Sequence, residues 1–173
     1  MRVWAVDAGE VDTLRPRLGE ILIDCVENGA SVGFLAPLDP ADADAYWRQV
    51  GRAVADRHCI LLAAADNGDV VGTVQLDVDT LPNQRHRGTV GKLLVHTAAR
   101  RRGVGKALMA ELERAALDDG RWLLTLDTAT PEAARLYERM GWTEAGVIPN
   151  DALNPDGSLT STAFYWKVLI QGA

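Results

Sequence analysis

Arg100-Arg101-Arg102-Gly103-Val104-Gly105-Lys106 lies between an apolar run that ends near His96 and a stretch of helical periodicity that starts at Val104. Its two glycines allow the backbone to turn tightly and to approach a phosphate closely. The first N–H groups of a helix have no partner inside the helix, and the positive end of the helix dipole attracts anions. The segment Arg100–Gly105, called the glycine turn below, therefore predicts a phosphate site between a strand and a helix.

Two familiar phosphate-binding patterns do not fit the glycine turn. A dinucleotide-binding fold built on Gly103 and Gly105 needs glycine or alanine at position 108, which is Leu108. A P-loop needs glycine at position 100 and serine or threonine at position 107, where this chain has arginine and alanine. The pattern that remains is Arg-x-x-Gly-x-Gly. Its alternative interpretation is a plain glycine-rich connection with exposed arginines.

Apolar periodicity and turn residues predict the helices and strands around the glycine turn. Asn67-Gly68 is typical of a tight hairpin turn, because both residues tolerate positive φ angles. Helices are predicted at 11–26, from Asp39-Pro40 to about residue 56, at 104–116 and at 131–140, and strands at 59–64, 70–76, 89–96, 122–126, 142–148 and 162–169. An antiparallel meander followed by a strand–helix–strand–helix stretch indicates a mixed domain of helices and strands.

The glycine turn and several other segments resemble the GCN5-related N-acetyltransferases, the GNAT family. Arg100, Gly103 and Gly105 match the fixed positions of the family's [Gln/Arg]-x-x-Gly-x-[Gly/Ala] turn. The segments 86–96, 126–128, 134–142, 146–150 and 164–167 are also similar, and most of them resemble the tabtoxin-resistance acetyltransferases in particular. The resemblance implies one α+β domain over residues 1–173, with a mixed, mostly antiparallel central sheet that is flanked by helices and splayed at its central strands.

The resemblance also implies that acetyl-CoA is the cosubstrate. Its pyrophosphate is expected on the glycine turn and the residue that follows it. The pantetheine arm and the thioester oxygen are expected on the backbone of the splayed strand at Leu94 and Val95, with His96 close by. The expected coenzyme-binding residues are therefore Leu94, Val95, His96, Arg100, Arg101, Arg102, Gly103, Val104, Gly105 and Lys106.

Acyl transfer to an amine needs a neutral nucleophile, a donor to the developing oxyanion and a proton for the departing thiolate. The resemblance implies Tyr137 as the proton donor; otherwise Tyr137 is a buried helix aromatic. The strand before the glycine turn has no glutamate that could act as base, so the base stays open. His86 and Asp127 are candidates for the base or for contact with the substrate ammonium. Cys25 and Cys59 lie in apolar patterns, which favours direct transfer over an acyl-cysteine intermediate.

Composition limits the partners and the compartment. The net charge of −6 argues against binding along a nucleic-acid backbone. Two cysteines are too few for a disulfide framework and lack the spacing of a zinc site, so no metal and a reducing cytoplasm are expected. No apolar run approaches the length of a membrane span, and no membrane partner is expected.

Three functions are compatible with the sequence. The first is an N-acetyltransferase that acts on the primary amine of a small molecule, of amino-acid-like, toxin or antibiotic type. The second is a peptide or protein N-acetyltransferase, which would need an open groove. The third is a sensor that binds acyl-CoA without catalysis. A homodimer is also expected to be possible, because the strand at 162–169 is interpreted as an edge strand.

Overall fold

The computed structural model describes residues 1–169 and consists of one seven-stranded sheet with four α-helices. The last four residues of the expected domain 1–173 lie outside the described residues. The strands are β1 (Arg2–Ala5), β2 (Cys59–Asp66), β3 (Asp69–Asp77), β4 (Arg87–Val95), β5 (Leu123–Thr128), β6 (Thr143–Leu153) and β7 (Leu159–Val168). The helices are α1 (Ala8–Glu27), α2 (Pro40–Ala55), α3 (Val104–Asp118) and α4 (Pro131–Arg139).

Short polar signals in the sequence set the ends of these elements. The Asp7 side chain accepts a hydrogen bond from the Glu10 N–H, and the Glu10 side chain accepts one from the Asp7 N–H, which forms a capping box at the start of α1. Asp39 caps α2, and Pro40 follows it at the first helical position. Asn67 and Gly68 have φ angles of 53° and 94°, so the predicted hairpin turn between β2 and β3 is confirmed.

The strand order across the sheet is β1-β2-β3-β4-β5-β7-β6. Only β4 and β5 pair in parallel, and all other neighbours pair antiparallel. One apolar core lies between the sheet and the helices α3 and α4, and a second lies between the sheet and the helices α1 and α2. The predicted mixed, mostly antiparallel α+β fold is therefore confirmed.

Two features of the sheet differ from the sequence-based interpretation. The structure has a first strand, β1, which was not predicted because a segment of only 4 residues carries too little alternation to be distinguished from a loop. The interpretation of 162–169 as an edge strand is wrong. Strand β7 lies between β5 and β6, so the edges of the described sheet are β1 and β6.

Close packing at Gly72 connects the sheet to α3. A Cβ atom at this position would lie 2.8 Å from the Leu94 carbonyl oxygen and within 3.2 Å of the Val104 and Leu108 side chains. The Leu94 oxygen belongs to the backbone of β4, so it cannot move away without disturbing the sheet. Only glycine fits here.

We expect Gly72→Ala to lower the free energy of unfolding by about 1–3 kcal/mol, because the added methyl group overpacks the interface between β3, β4 and α3. Urea denaturation of the two proteins measures this change. Gly19→Ala in α1 is the matched control. A Cβ atom there meets nothing within 4 Å, so this change should leave stability equal or raise it. Equal stability of Gly72→Ala and the natural protein would contradict the close packing.

Candidate active site

A cleft opens in the middle of the sheet because β4 and β5 pair only along part of their length. The pairs run from Arg87–Leu123 to Val90–Leu126, and beyond them the two strands separate. The backbone of residues 91–95 therefore has no neighbouring strand on the β5 side. The expected splay of the central strands is present, and its open end points toward the glycine turn.

A β-bulge in β4 lies where the cleft begins. The partners Gln75–Gly91 and Thr73–Leu94 show that β4 has one residue more than β3 in this interval. Lys92 has a φ angle of 51°, a left-handed conformation that is uncommon for a residue with a side chain. The bulge directs the Lys92 side chain toward Tyr46 of α2, whose ring centre lies 6.0 Å from the lysine Nζ atom.

The glycine turn precedes several N–H groups that have no partner inside α3. Gly103 has a φ angle of 83°, a conformation that strongly favours glycine, and it immediately precedes α3. The Ala107 N–H donates to the Gly103 carbonyl at 3.0 Å, so the N–H groups of residues 104–106 precede the first hydrogen bond of this helix. A Cβ atom at Gly105 would lie 3.3 Å from a terminal methyl group of Leu136. The backbone here is accessible to an anion.

The arginines of the glycine turn have different contacts. Arg100 donates from Nε to the Val95 carbonyl at 3.2 Å, so it holds the turn against the end of β4. Arg102 forms an ion pair with Asp66 at the end of β2. Arg101 is exposed and has a φ angle of 61°. Arg100 and Arg102, two of the three arginines expected to bind phosphate, therefore also bind groups of the protein itself.

His96 contacts the protein on both sides of its ring. Its Nδ1 atom accepts from the Ala98 N–H at 3.2 Å, and its Nε2 atom lies 3.9 Å from Asp24 of α1. The same carboxylate accepts hydrogen bonds from the N–H and the hydroxyl of Thr97, at 2.8 and 2.7 Å. Asp24 therefore fixes the short 3₁₀ segment Thr97–Ala99 that connects β4 to the glycine turn.

Tyr137 lies on α4 and is 5% exposed. Its ring packs near Trp142 and Tyr165, with centre-to-centre distances of 6.0 and 6.1 Å. Burial and, to a smaller extent, the charge of Asp127 raise the pKa of Tyr137 above its ordinary value. The phenol therefore stays protonated at neutral pH and is able to donate a proton.

Asp127 lies where β5 leaves β4. It is the first β5 residue after the last pair with β4. Side chains alternate along a strand, and Leu124 and Leu126 face the core under α3. The side chain therefore points to the opposite face of the sheet. The charge of Asp127 contributes to the pKa shifts of both Tyr137 and Lys92, in each case as a smaller cause than burial.

His86 does not belong to this group. It precedes the first residue of β4, and its ring stacks on Trp122 with the ring centres 4.7 Å apart. β4 has 9 residues, so at about 3.3 Å per residue His86 lies roughly 30 Å along the strand from the glycine turn. His86 and Asp127 therefore lie at opposite ends of the paired part of β4 and β5, and the structure does not bring these two candidates together.

Neither cysteine has the environment of a reactive thiolate. Burial raises the pKa of Cys25, and burial together with the charge of Asp77 raises the pKa of Cys59 to about 12. Both thiols therefore stay protonated near neutral pH. This agrees with the expectation of direct transfer to the acceptor.

Four further residues lie in this region, and local sequence patterns did not predict them as site residues: Asp24, Tyr46, Gln75 and Lys92. The Tyr46 hydroxyl lies 3.0 Å from Gln75 Oε1 and 2.8 Å from Gln75 Nε2, on the same face of the sheet as the Lys92 side chain. The available signal was a lysine after glycine inside an apolar strand, Val90-Gly91-Lys92-Leu93. The bulge itself depends on pairing with β3, which a local pattern does not contain.

Comparisons with known proteins place this site in a family. The sequence profile of the Acetyltransferase (GNAT) family matches residues 17–142. The yncA protein of Salmonella typhimurium, solved with its cofactor acetyl-CoA, has a TM-score of 0.78 and 20% identity, with 100% of this chain and 96% of that chain covered. Phosphinothricin acetyltransferase from Sinorhizobium meliloti, solved with acetyl-CoA, has a TM-score of 0.79 and 20% identity, with 99% and 90% covered.

A third similar structure is the ribosomal-protein-alanine N-acetyltransferase from Brucella melitensis, with a TM-score of 0.78 and 21% identity over 97% of this chain and 99% of that chain. The sequence profile thus defines the chain as an acetyltransferase, and the similar structures share its fold. The chain belongs to the GNAT family of acetyltransferases and uses acetyl-CoA. Its own residues fit this cosubstrate, because the open backbone of 91–95 and the N–H groups at the start of α3 lie in succession along one cleft.

No helix within residues 1–169 is long and apolar enough to cross a membrane. In the same part of the chain, no three His, Cys, Asp or Glu side chains are grouped so that they could hold a metal ion.

Proposed function

We propose that the protein transfers the acetyl group of acetyl-CoA directly to the primary amine of a small acceptor. The observation that carries this proposal is the separation of β4 from β5 directly before Asp127, where the unpaired part of β4 begins. We assign the buried Tyr137 of α4 to the same site as the proton donor. These groups supply a proton donor, a contact for an ammonium group and backbone N–H groups. Direct transfer needs these three components.

The loops around the cleft support a small acceptor. The α1–α2 connection, residues 28–39, meets the turn between β6 and β7. Ser31 Oγ donates to the Leu153 carbonyl at 3.1 Å, and the Ala36 N–H donates to the Pro155 carbonyl at 2.8 Å. A Cβ atom added to Gly33 in the same connection would lie 3.7 Å from Lys92 Nζ, so the connection lies over Lys92. A covered face favours a compact substrate over an extended peptide, which needs an open groove.

We assign the pyrophosphate to the start of α3. The N–H groups of Val104, Gly105 and Lys106 provide donors, and the exposed Arg101 and Lys106 side chains provide positive charge. Arg100 and Arg102 support the shape of the turn and add to its positive field. The pantetheine arm is assigned to the backbone at Leu94 and Val95. His96 shapes the end of this strand through its contacts with Ala98 and Asp24.

Gly105→Glu tests the phosphate site. We expect acetyl-CoA affinity to fall by about a hundredfold or more, because the added carboxylate repels and obstructs the pyrophosphate. Isothermal titration calorimetry with acetyl-CoA measures the affinity. Gly105→Ala is the matched control. Its Cβ atom would lie 3.3 Å from a terminal methyl group of Leu136 and at ordinary contact distance, 3.8 and 4.0 Å, from Leu93 and Val95, so binding should change by no more than about threefold. Equal binding by all three proteins would contradict the assignment.

The chemistry assigned to the side chains follows the movement of two protons. Asp127 contacts the acceptor ammonium and, directly or through water, accepts its proton. The free amine then attacks the thioester carbonyl, and a backbone N–H of β4 stabilises the oxyanion. The carbon–sulfur bond breaks, and Tyr137 donates its proton to the departing thiolate. The products are the N-acetylated acceptor and coenzyme A.

Turnover with Tyr137→Phe tests this assignment. The natural protein should acetylate members of a panel of small amines, while Tyr137→Phe should lower kcat by about tenfold to a hundredfold and leave the KM for acetyl-CoA nearly unchanged. Because the pKa of Tyr137 is raised, the phenol is protonated throughout pH 6–9, and the loss should be the same across that range. Release of coenzyme A, followed with a thiol reagent, measures the rate.

Two results would contradict the proposed function. Binding of acetyl-CoA without turnover of any amine would favour a sensor. Acetylation of peptide N-termini without turnover of small amines would favour a peptide N-acetyltransferase.

A further inference from the structure

The Lys92 ammonium has an unusual position for a lysine. It lies on a central strand beneath the α1–α2 connection, where a Cβ atom added to Gly33 would be 3.7 Å from Nζ. The centre of the Tyr46 ring lies 6.0 Å from Nζ on the α2 side. No carboxylate within residues 1–169 forms an ion pair with it at 4.0 Å or less. Partial burial without a direct counterion disfavours the charged form, and it lowers the pKa of Lys92.

The bulge is what places Lys92 on this face of the sheet. Gly91 pairs with Gln75, whose side chain contacts Tyr46. Side chains alternate in a regular strand, so residue 92 would otherwise point toward α3. The extra residue and the φ angle of 51° reverse that direction. Left-handed backbone at a residue other than glycine carries a conformational cost, which is common where a side chain serves a site.

Lys92 and Asp127 place opposite charges at the start of the cleft. The Asp127 side chain points to the face on which Lys92 meets Tyr46, and its charge opposes the lowering of the Lys92 pKa by burial. The two groups nevertheless lie farther apart than a direct ion pair. An acceptor with one positive and one negative group would bridge this separation and neutralise both side chains.

We infer that Lys92 is a specificity-determining residue that binds the carboxylate of an amino-acid acceptor, while Asp127 contacts the acceptor's amine. This inference rests on the proposed N-acetyltransferase function and narrows its substrate class. A single ammonium group matches the single charge of a carboxylate better than a doubly charged phosphate, which usually requires several donors. The Tyr46 hydroxyl and the Gln75 amide lie on the same face and provide further polar groups.

Matched acceptors test this inference. The panel contains L-amino acids and the corresponding amino-acid amides, which have the same amine and side chain without the carboxylate. The natural protein should acetylate one or more amino acids with a kcat/KM at least about tenfold above that of the matching amide. Lys92→Met should lower kcat/KM for those amino acids by about tenfold or more, mainly through KM, and leave the amides within about threefold. Lys92→Arg should retain part of the preference.

Two controls keep the result specific. Arg52→Met removes one positive charge from the exposed surface of α2 and should leave the preference unchanged. Calorimetric titration with acetyl-CoA should give the same affinity for the natural protein and Lys92→Met, which shows that the fold and the coenzyme site are intact.

These measurements distinguish a failure of the proposed function from a failure of the role assigned to Lys92. If the natural protein binds acetyl-CoA but acetylates neither amino acids nor amides nor any other amine, both the proposed function and the role of Lys92 are overturned. If it acetylates amides as well as amino acids, or if Lys92→Met affects both alike, only the role of Lys92 is overturned.

Discussion

The separation of β4 from β5 after the pair Val90–Leu126 is the constraint on which the site depends. Backbone N–H and C=O groups need hydrogen-bond partners, and a strand that loses its neighbour has unpaired groups on one side. The amides of a pantetheine arm provide partners of the same chemistry. The parallel pairing that ends at this point therefore creates a binding surface without any specialised side chain.

The separation is maintained by contacts on both sides of the sheet. On one side, the Glu113 carboxylate of α3 accepts hydrogen bonds from the Lys167 ammonium at 2.8 Å and from the indole N–H of Trp142 at 3.1 Å. Lys167 also donates to the Met140 carbonyl at 2.7 Å. These bonds connect α3, the end of α4 and β7, and thereby position Tyr137. On the other side, Asp24 connects α1 to the residues that follow β4. Both helix layers thus hold the cleft open.

Local chemistry allowed much of this structure to be predicted. The glycine turn, the Asn67-Gly68 hairpin and the Asp39-Pro40 helix start are all signals within a few residues, and each element formed where it was expected. The position of β7 between β5 and β6 was not predictable in this way, since strand order depends on long-range pairing. Lys92 was not predicted as a site residue for the same reason, because the register between β3 and β4 sets the direction of its side chain. His86 and Asp127 were both candidates for the base, but the parallel pairing of β4 with β5 places them at opposite ends of the paired segment.

Asp127 couples the two proton transfers of the proposed reaction. Burial is the larger cause of the raised pKa of Tyr137, and the negative charge of Asp127 adds to it. Once Asp127 has accepted a proton from the acceptor amine, that charge is neutralised and the Tyr137 proton becomes easier to donate. The phenol thus becomes the better acid only after the nucleophile has been activated. In the proposed mechanism, this single carboxylate orders the two transfers, so that the thiolate is protonated after the amine becomes reactive.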